Sequence, residues 1–127
     1  MKLWIDDTRP APGGYFWCKS VNEAKEKIIK NENRIKEMGE ECRRLDSIGN
    51  HYDADYLHMV AANSMLSLID IDHDAGDYAN DGGDYIKLLD WLEETGRNYP
   101  IRIHSMNPVG AANMRAIIER NGWTEVK

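Results

Sequence analysis

Leu68-Ile69-Asp70-Ile71-Asp72-His73-Asp74-Ala75-Gly76 opens as a short apolar run and closes on carboxylates, a histidine and a glycine. A buried strand that ends in acids sets them at the C-terminal edge of a sheet, where open α/β folds keep their sites. Upstream, Lys2-Leu3-Trp4-Ile5-Asp6-Asp7 repeats this grammar, apolar and then acidic. Downstream, Ile101-Arg102-Ile103-His104-Ser105-Met106-Asn107 ends in neutral polar groups and a histidine. The three strand ends are expected to converge on one acidic pocket that holds a divalent cation and handles a phosphate.

Between these stretches the pattern is that of a small α/β protein. Thr8 to Gly14 contains Pro10, Pro12, Gly13 and Gly14, which is turn chemistry, and Tyr15-Phe16-Trp17-Cys18 reads as a short aromatic strand. A parallel crossover usually needs about a dozen residues and a helix. The first two strands are therefore either antiparallel neighbours or joined by an extended loop in place of a helix. Ser20 with Glu23 makes a capping-box start for a helix. Val21, Ala24, Ile28, Ile35, Met38, Cys42 and Leu45 then form one apolar stripe, with Gly39 as a weak point and Gly49-Asn50 as the stop. Tyr56, Leu57, Met59, Val60 and Met65 predict a further short helix before the central strand. After it, Gly82-Gly83-Asp84 leads into a helix with Ile86, Leu89 and either Trp91 or Leu92 inward, and Gly96 stops it. Asn107-Pro108 opens the next helix, with Met114, Ile117 and Ile118 apolar, and Trp123 to Val126 is a candidate last strand.

Length and charge bound the function. One chain of 127 residues can bury one core, and a formal charge of -6 argues against a broad nucleic-acid surface. It leaves room for one phosphate bound through a metal. Cys18 and Cys42 lack metal-site spacing and read as reduced thiols of a cytoplasmic protein. No apolar run is long enough for a signal peptide or a membrane span.

The acids carry the chemistry. Asp6, Asp7 and Asp72 on neighbouring strands would lie within a few ångströms, and like charges that close need a cation or a proton between them. An all-oxygen site suits Mg²⁺ or Mn²⁺. The plainer reading is that Asp6 and Asp7 cap a turn with Thr8 and Arg9. A calcium loop at Asp70 to Asp81 fails, because Ala75 and Asp81 stand where that loop needs glycine and glutamate. Asp70 is awkward, a carboxylate inside an apolar run. His73 and His104 are candidates for proton transfer, against the plainer role of hydrogen-bonded structural residues. Ser105 and the helix start at Asn107 suit a phosphate oxygen, and Arg9 can fork onto it or pair with Asp7. His51 and His58 suggest no site.

These motifs together resemble the receiver domains of two-component signalling. More specifically, Leu3-Trp4-Ile5-Asp6-Asp7-Thr8-Arg9-Pro10, Asp72-His73-Asp74-Ala75-Gly76, Gly83-Asp84-Tyr85 and His104-Ser105-Met106-Asn107-Pro108-Val109-Gly110 are similar to the cyclic-phosphate-processing receiver-like family. The resemblance implies a receiver or flavodoxin-like three-layer α/β sandwich with a mainly parallel sheet. The first crossover helix is expected to be lost, and a helical insertion at about 31–65 precedes the central strand of a single domain. It implies Asp6, Asp7 and Asp72 as metal ligands, Asp72, His73, Asp74 and His104 as the catalytic group, and Arg9, Ser105 and Asn107 on the phosphate. The substrate implied is a phosphorylated small molecule, a nucleotide or an RNA end bearing a 2′,3′-cyclic phosphate. Asp70 and the insertion depart from the family pattern, as does the lysine that ends a signalling receiver's last strand, here only Lys127. Two other readings stand beside the enzyme: a stand-alone receiver phosphorylated on Asp72, and a non-catalytic module that binds a protein through the pocket or the inserted helices. A haloacid-dehalogenase-like phosphatase is the weakest, since its two aspartates are separated by one residue and Asp6-Asp7 are adjacent.

Overall fold

The computed structural model describes residues 1–127. In chain order the elements are β1 (Lys2–Ile5), β2 (Tyr15–Cys18), α1 (Val21–Ser47), α2 (His51–Ser64), β3 (Leu68–Ile71), a 3₁₀ turn (Gly76–Asn80), α3 (Ile86–Glu94), β4 (Ile101–Ile103) and α4 (Pro108–Asn121). The strands form one sheet in the order β2-β1-β3-β4, parallel throughout. This is the flavodoxin-like order, and its direction reverses between β1 and β3. The last strand expected at Trp123 to Val126 shrinks to a single parallel bridge between Ile101 and Glu125.

The β1–β2 connection settles the first topological question in favour of the extended loop. Trp4 Nε1 donates to the carbonyl of Arg9 at 2.8 Å, and Tyr15 N donates to Pro12 O at 3.2 Å. The loop is thereby tied to the strand it leaves and the strand it enters, with Gly14 at φ 85° supplying the left-handed residue.

Alternation divides the sheet into two unlike faces. Leu3, Ile5, Ile69, Ile71 and Ile101 share one face and are fully buried, as are Leu88, Leu89 and Leu92 of α3 and Met114 of α4. In α3 the inward residues are thus Leu88, Leu89 and Leu92, while Ile86 and Trp91 are half-buried. In register on the opposite face stand Trp17, Trp4, Asp70 and Arg102. That face delivers Asp6, Asp72 and His104 two residues further along β1, β3 and β4.

Internal contacts divide the chain into two units, Met1–Glu26 with Leu66–Lys127, and Lys27–Met65. Within the second unit α1 runs unbroken through Gly39, because one glycine costs a long helix only about 1 kcal/mol. Asn31 Nδ2 donates to Ser64 O at 2.8 Å, and buried Cys42 Sγ lies 3.7 Å from Ala54 O. The further short helix expected before the central strand is α2; Ala54 is its buried residue, Leu57 and Val60 are half-buried, and Tyr56 and Met59 are exposed. No helix is long and apolar enough to cross a membrane.

Candidate functional site

Where β1 and β3 separate, their C-terminal ends bring Asp6, Asp7 and Asp72 together, each offering an oxygen within 4.8 Å of the others. The three are not equivalent. Asp6 is fully buried and saturated with donors. Its Oδ1 accepts the backbone N–H groups of Thr8 (2.9 Å) and Arg9 (2.8 Å), so it does cap the turn after β1. Its Oδ2 accepts Arg9 Nε at 2.9 Å and faces His104 Nε2 at 3.0 Å. Burial works to raise the Asp6 carboxyl pKa. The two backbone donors, His104 and the Arg9 charge outweigh it and hold the carboxyl below its ordinary 3.8.

Asp72 takes His73 N–H on Oδ1 at 2.8 Å, while Arg9 Nη2 stands 3.2 Å from Oδ2. Arg9 therefore bridges Asp6 and Asp72; it does not pair with Asp7. It is held from outside as well, its Nη2 donating to His104 O at 3.1 Å. Asp7 has no hydrogen-bonding partner. Gly76, at φ 56°, lies against it: a Cβ there would stand 2.3 Å from Asp7 Oδ2. The glycine in the quoted stretch is what gives that carboxylate its space.

His104 explains the awkward Asp70. Its Nδ1 faces Asp70 Oδ1 at 2.6 Å and its Nε2 faces Asp6 Oδ2 at 3.0 Å. The ring thus spans the two carboxylates, one at each nitrogen. It stacks on Trp4 with centroids 3.8 Å apart and planes at 3°, which fixes its plane. Asp70, fully buried, also receives Tyr15 Oη at 3.4 Å and has Arg102 Nη1 at 3.6 Å. Asp6, His104 and Asp70 thus form a buried acid–imidazole–acid line across β1, β4 and β3.

His73 stands apart from that line. Its Nδ1 pairs with Asp74 Oδ1 at 2.9 Å, which fixes the ring and leaves Nε2 without a partner. The ring lies on the first turn of α4, where a Cβ on Gly110 would meet His73 Cγ at 2.4 Å. That turn is capped by Asn107 Oδ1, which accepts Gly110 N at 3.0 Å, and Ser105 Oγ accepts Asn107 N at 3.0 Å. Ser105 keeps its hydroxyl proton and Asn107 its Nδ2 hydrogens for another acceptor.

Tyr85 is fully buried, its Oη donates to Lys19 O at 2.7 Å, and burial together with Asp7, Asp6 and Asp72 pushes its phenol pKa far up. Trp17 lies outside the motifs that carry the resemblance, and Trp4, Tyr85 and Gly110 fall within them without a role that the sequence alone assigns. Trp4 was within reach, since it precedes Asp6 by two and must share its face.

Three carboxylates around one point are the donor set of a hard divalent ion. Oxygens on Mg²⁺ lie about 3 Å apart as neighbours and about 4 Å apart across the ion, so three carboxylates spread over up to 4.8 Å would draw together to share one. Asp7 is the readiest ligand, Asp72 the second, and Asp6 the one already committed.

A model of the cyclic-phosphate processing receiver domain matches residues 50–120. The matched span includes β3 with Asp72, His73 and Asp74, and β4 and α4 with His104, Ser105 and Asn107. No curated protein and no solved structure matches the chain.

Proposed function

Because the chain belongs to the cyclic-phosphate processing receiver family, we propose that its acidic pocket hydrolyses a cyclic or terminal phosphate ester with a divalent metal. The carrying observation is an unpartnered Asp7 carboxylate beside Asp72, with Arg9 already spanning Asp6 and Asp72. A phosphate anion is repelled by acids alone, so this pocket needs a bound cation to receive its substrate. Mg²⁺ or Mn²⁺, held by Asp7 and Asp72 with Asp6 behind them, would supply charge neutralisation and an acidified water.

Arg9, Ser105 and Asn107 hold the phosphoryl oxygens. His73, kept in one tautomer by Asp74, takes the proton of the attacking water on Nε2 and returns it to the leaving alkoxide. One P–O bond forms from water, one P–O bond to the ring oxygen breaks, and a monoester results. His104 acts differently from His73: pinned at both nitrogens, it holds Asp6 and, through its carbonyl, Arg9.

A second reading draws on the same Asp72. Its carboxylate ends the central strand and is still 13% accessible, as an aspartyl phosphorylation site would have to be. The two readings part on one experiment. Incubation of adenosine 2′,3′-cyclic phosphate with protein and Mg²⁺, followed by phosphorus NMR, is expected to show a monoester, abolished by chelator and by Asp72→Asn. A stable mass increase with a small phosphodonor, without turnover of the cyclic phosphate, would favour the receiver instead. Neither result would leave a binding module.

A further inference from the structure

The wall of the pocket on the β2 side is built from side chains that hydrolysis does not use. Trp17 is anchored to the metal-candidate strand end, its Nε1 donating to Asp6 O at 2.7 Å. Tyr78 lies on the 3₁₀ turn that begins at Gly76, the residue abutting Asp7, and is 37% exposed. Between the two rings sits the Lys19 ammonium, 4.6 Å from the Trp17 centroid and 6.0 Å from that of Tyr78. Both rings thus meet one spot, occupied by the chain's own cation, on segments tied to the acids through the Asp6 carbonyl and Gly76. The Lys19 backbone is fixed below by Tyr85.

From this we infer that Trp17, Lys19 and Tyr78 form a subsite for the base of a nucleotide whose phosphate occupies the acidic pocket. The inference rests on the phosphate-pocket reading above and adds the chemistry of the organic group. A planar base stacks on either ring, and its edge nitrogens and oxygens accept from Lys19, which carries donors only. A lipid chain gains nothing from an ammonium in its slot. The acidic charge of the chain disfavours a long polyanion, so the ligand is a mononucleotide or one strand end.

The test compares adenosine 2′,3′-cyclic phosphate with glycerol 1,2-cyclic phosphate, which shares the phosphate but has no base. Binding of each in Mg²⁺ is measured calorimetrically on the full chain, its Tyr78→Ala and Tyr78→Phe variants, with adenosine as a phosphate-free control. The nucleotide is expected to bind at least about fivefold tighter than the glycerol ester, the low end of one base stack. That advantage should disappear in Tyr78→Ala and return in Tyr78→Phe. Equal affinity of the two esters overturns the base subsite and leaves the phosphate pocket standing. Failure of both esters, with adenosine still bound in a Tyr78-dependent way, overturns the pocket and supports the subsite. If no probe binds, both ideas are overturned.

Discussion

At the scale of single residues, His104 is the side chain on which most of the site depends. Both carboxylates it joins are fully buried, so removing the imidazole takes a shared partner from each inside the protein. Breaking a buried pair from one side costs about 3–5 kcal/mol. His104→Ala is therefore expected to lower the urea midpoint sharply, whereas His73→Ala, with a partly accessible partner in Asp74, should change it little. Equal effects of the two would show that the buried line is not the structural one. Asp6 adds a pH dependence whose sign is fixed. Its folded carboxyl is held below 3.8, so its stabilisation is fully present above that value and is lost as pH falls through the folded one. Acid unfolding followed by circular dichroism should begin below about pH 4, and Asp6→Asn should flatten that limb while lowering stability at neutral pH.

Individual elements were legible where periodicity was strong and less so where tertiary geometry decided. The strands around Ile5, Ile71 and Ile103 could be read because apolar runs that end in polar residues have few other uses in a small domain. The direction of β2 could not, since Thr8 to Gly14 has turn residues compatible with either hand. It is set by Trp4 and Tyr15 tying both ends of the loop. In α3, Leu88 rather than Ile86 faces the core, a rotation that a nine-residue helix leaves open. The glycines were the least legible, because what each one touches is remote in sequence. Gly110 sits inside α4, where alanine is the better helix former, yet a Cβ would press on the His73 ring at 2.4 Å. Gly110→Ala should keep the helical signal and push His73 aside. The expected result is a loss of cyclic-phosphate turnover of tenfold or more, with thermal stability lowered by about 1–3 kcal/mol. Unchanged turnover would remove His73 from the chemistry.

For the whole molecule, the site is a charge problem set inside an acidic chain. The formal charge of -6 is locally offset at the acids: Arg9 lies against both Asp6 and Asp72, and Asp7 stands without such a partner. Sequence reading found the acids, since they stand next to one another or end a strand. It missed Lys19 and the partnership of Asp70 with His104, because those depend on which strands become neighbours. The balance predicts how the fold responds to cations. Asp7 is the one carboxylate of the cluster without a protein donor, so an ion bound there adds stabilisation that the protein alone lacks. A ligand that binds only the folded state adds about 2.7 kcal/mol at a hundred times its dissociation constant. Melting in rising Mg²⁺ or Mn²⁺ should shift upward by several degrees, and Asp7→Asn should abolish the shift while leaving the metal-free melting temperature nearly unchanged. Asp6→Asn should instead lower the metal-free melting temperature, because Asp6 already serves Thr8, Arg9 and His104. If millimolar metal leaves the wild-type melting temperature unmoved, Arg9 is the cation this pocket uses, and metal-dependent hydrolysis falls with it.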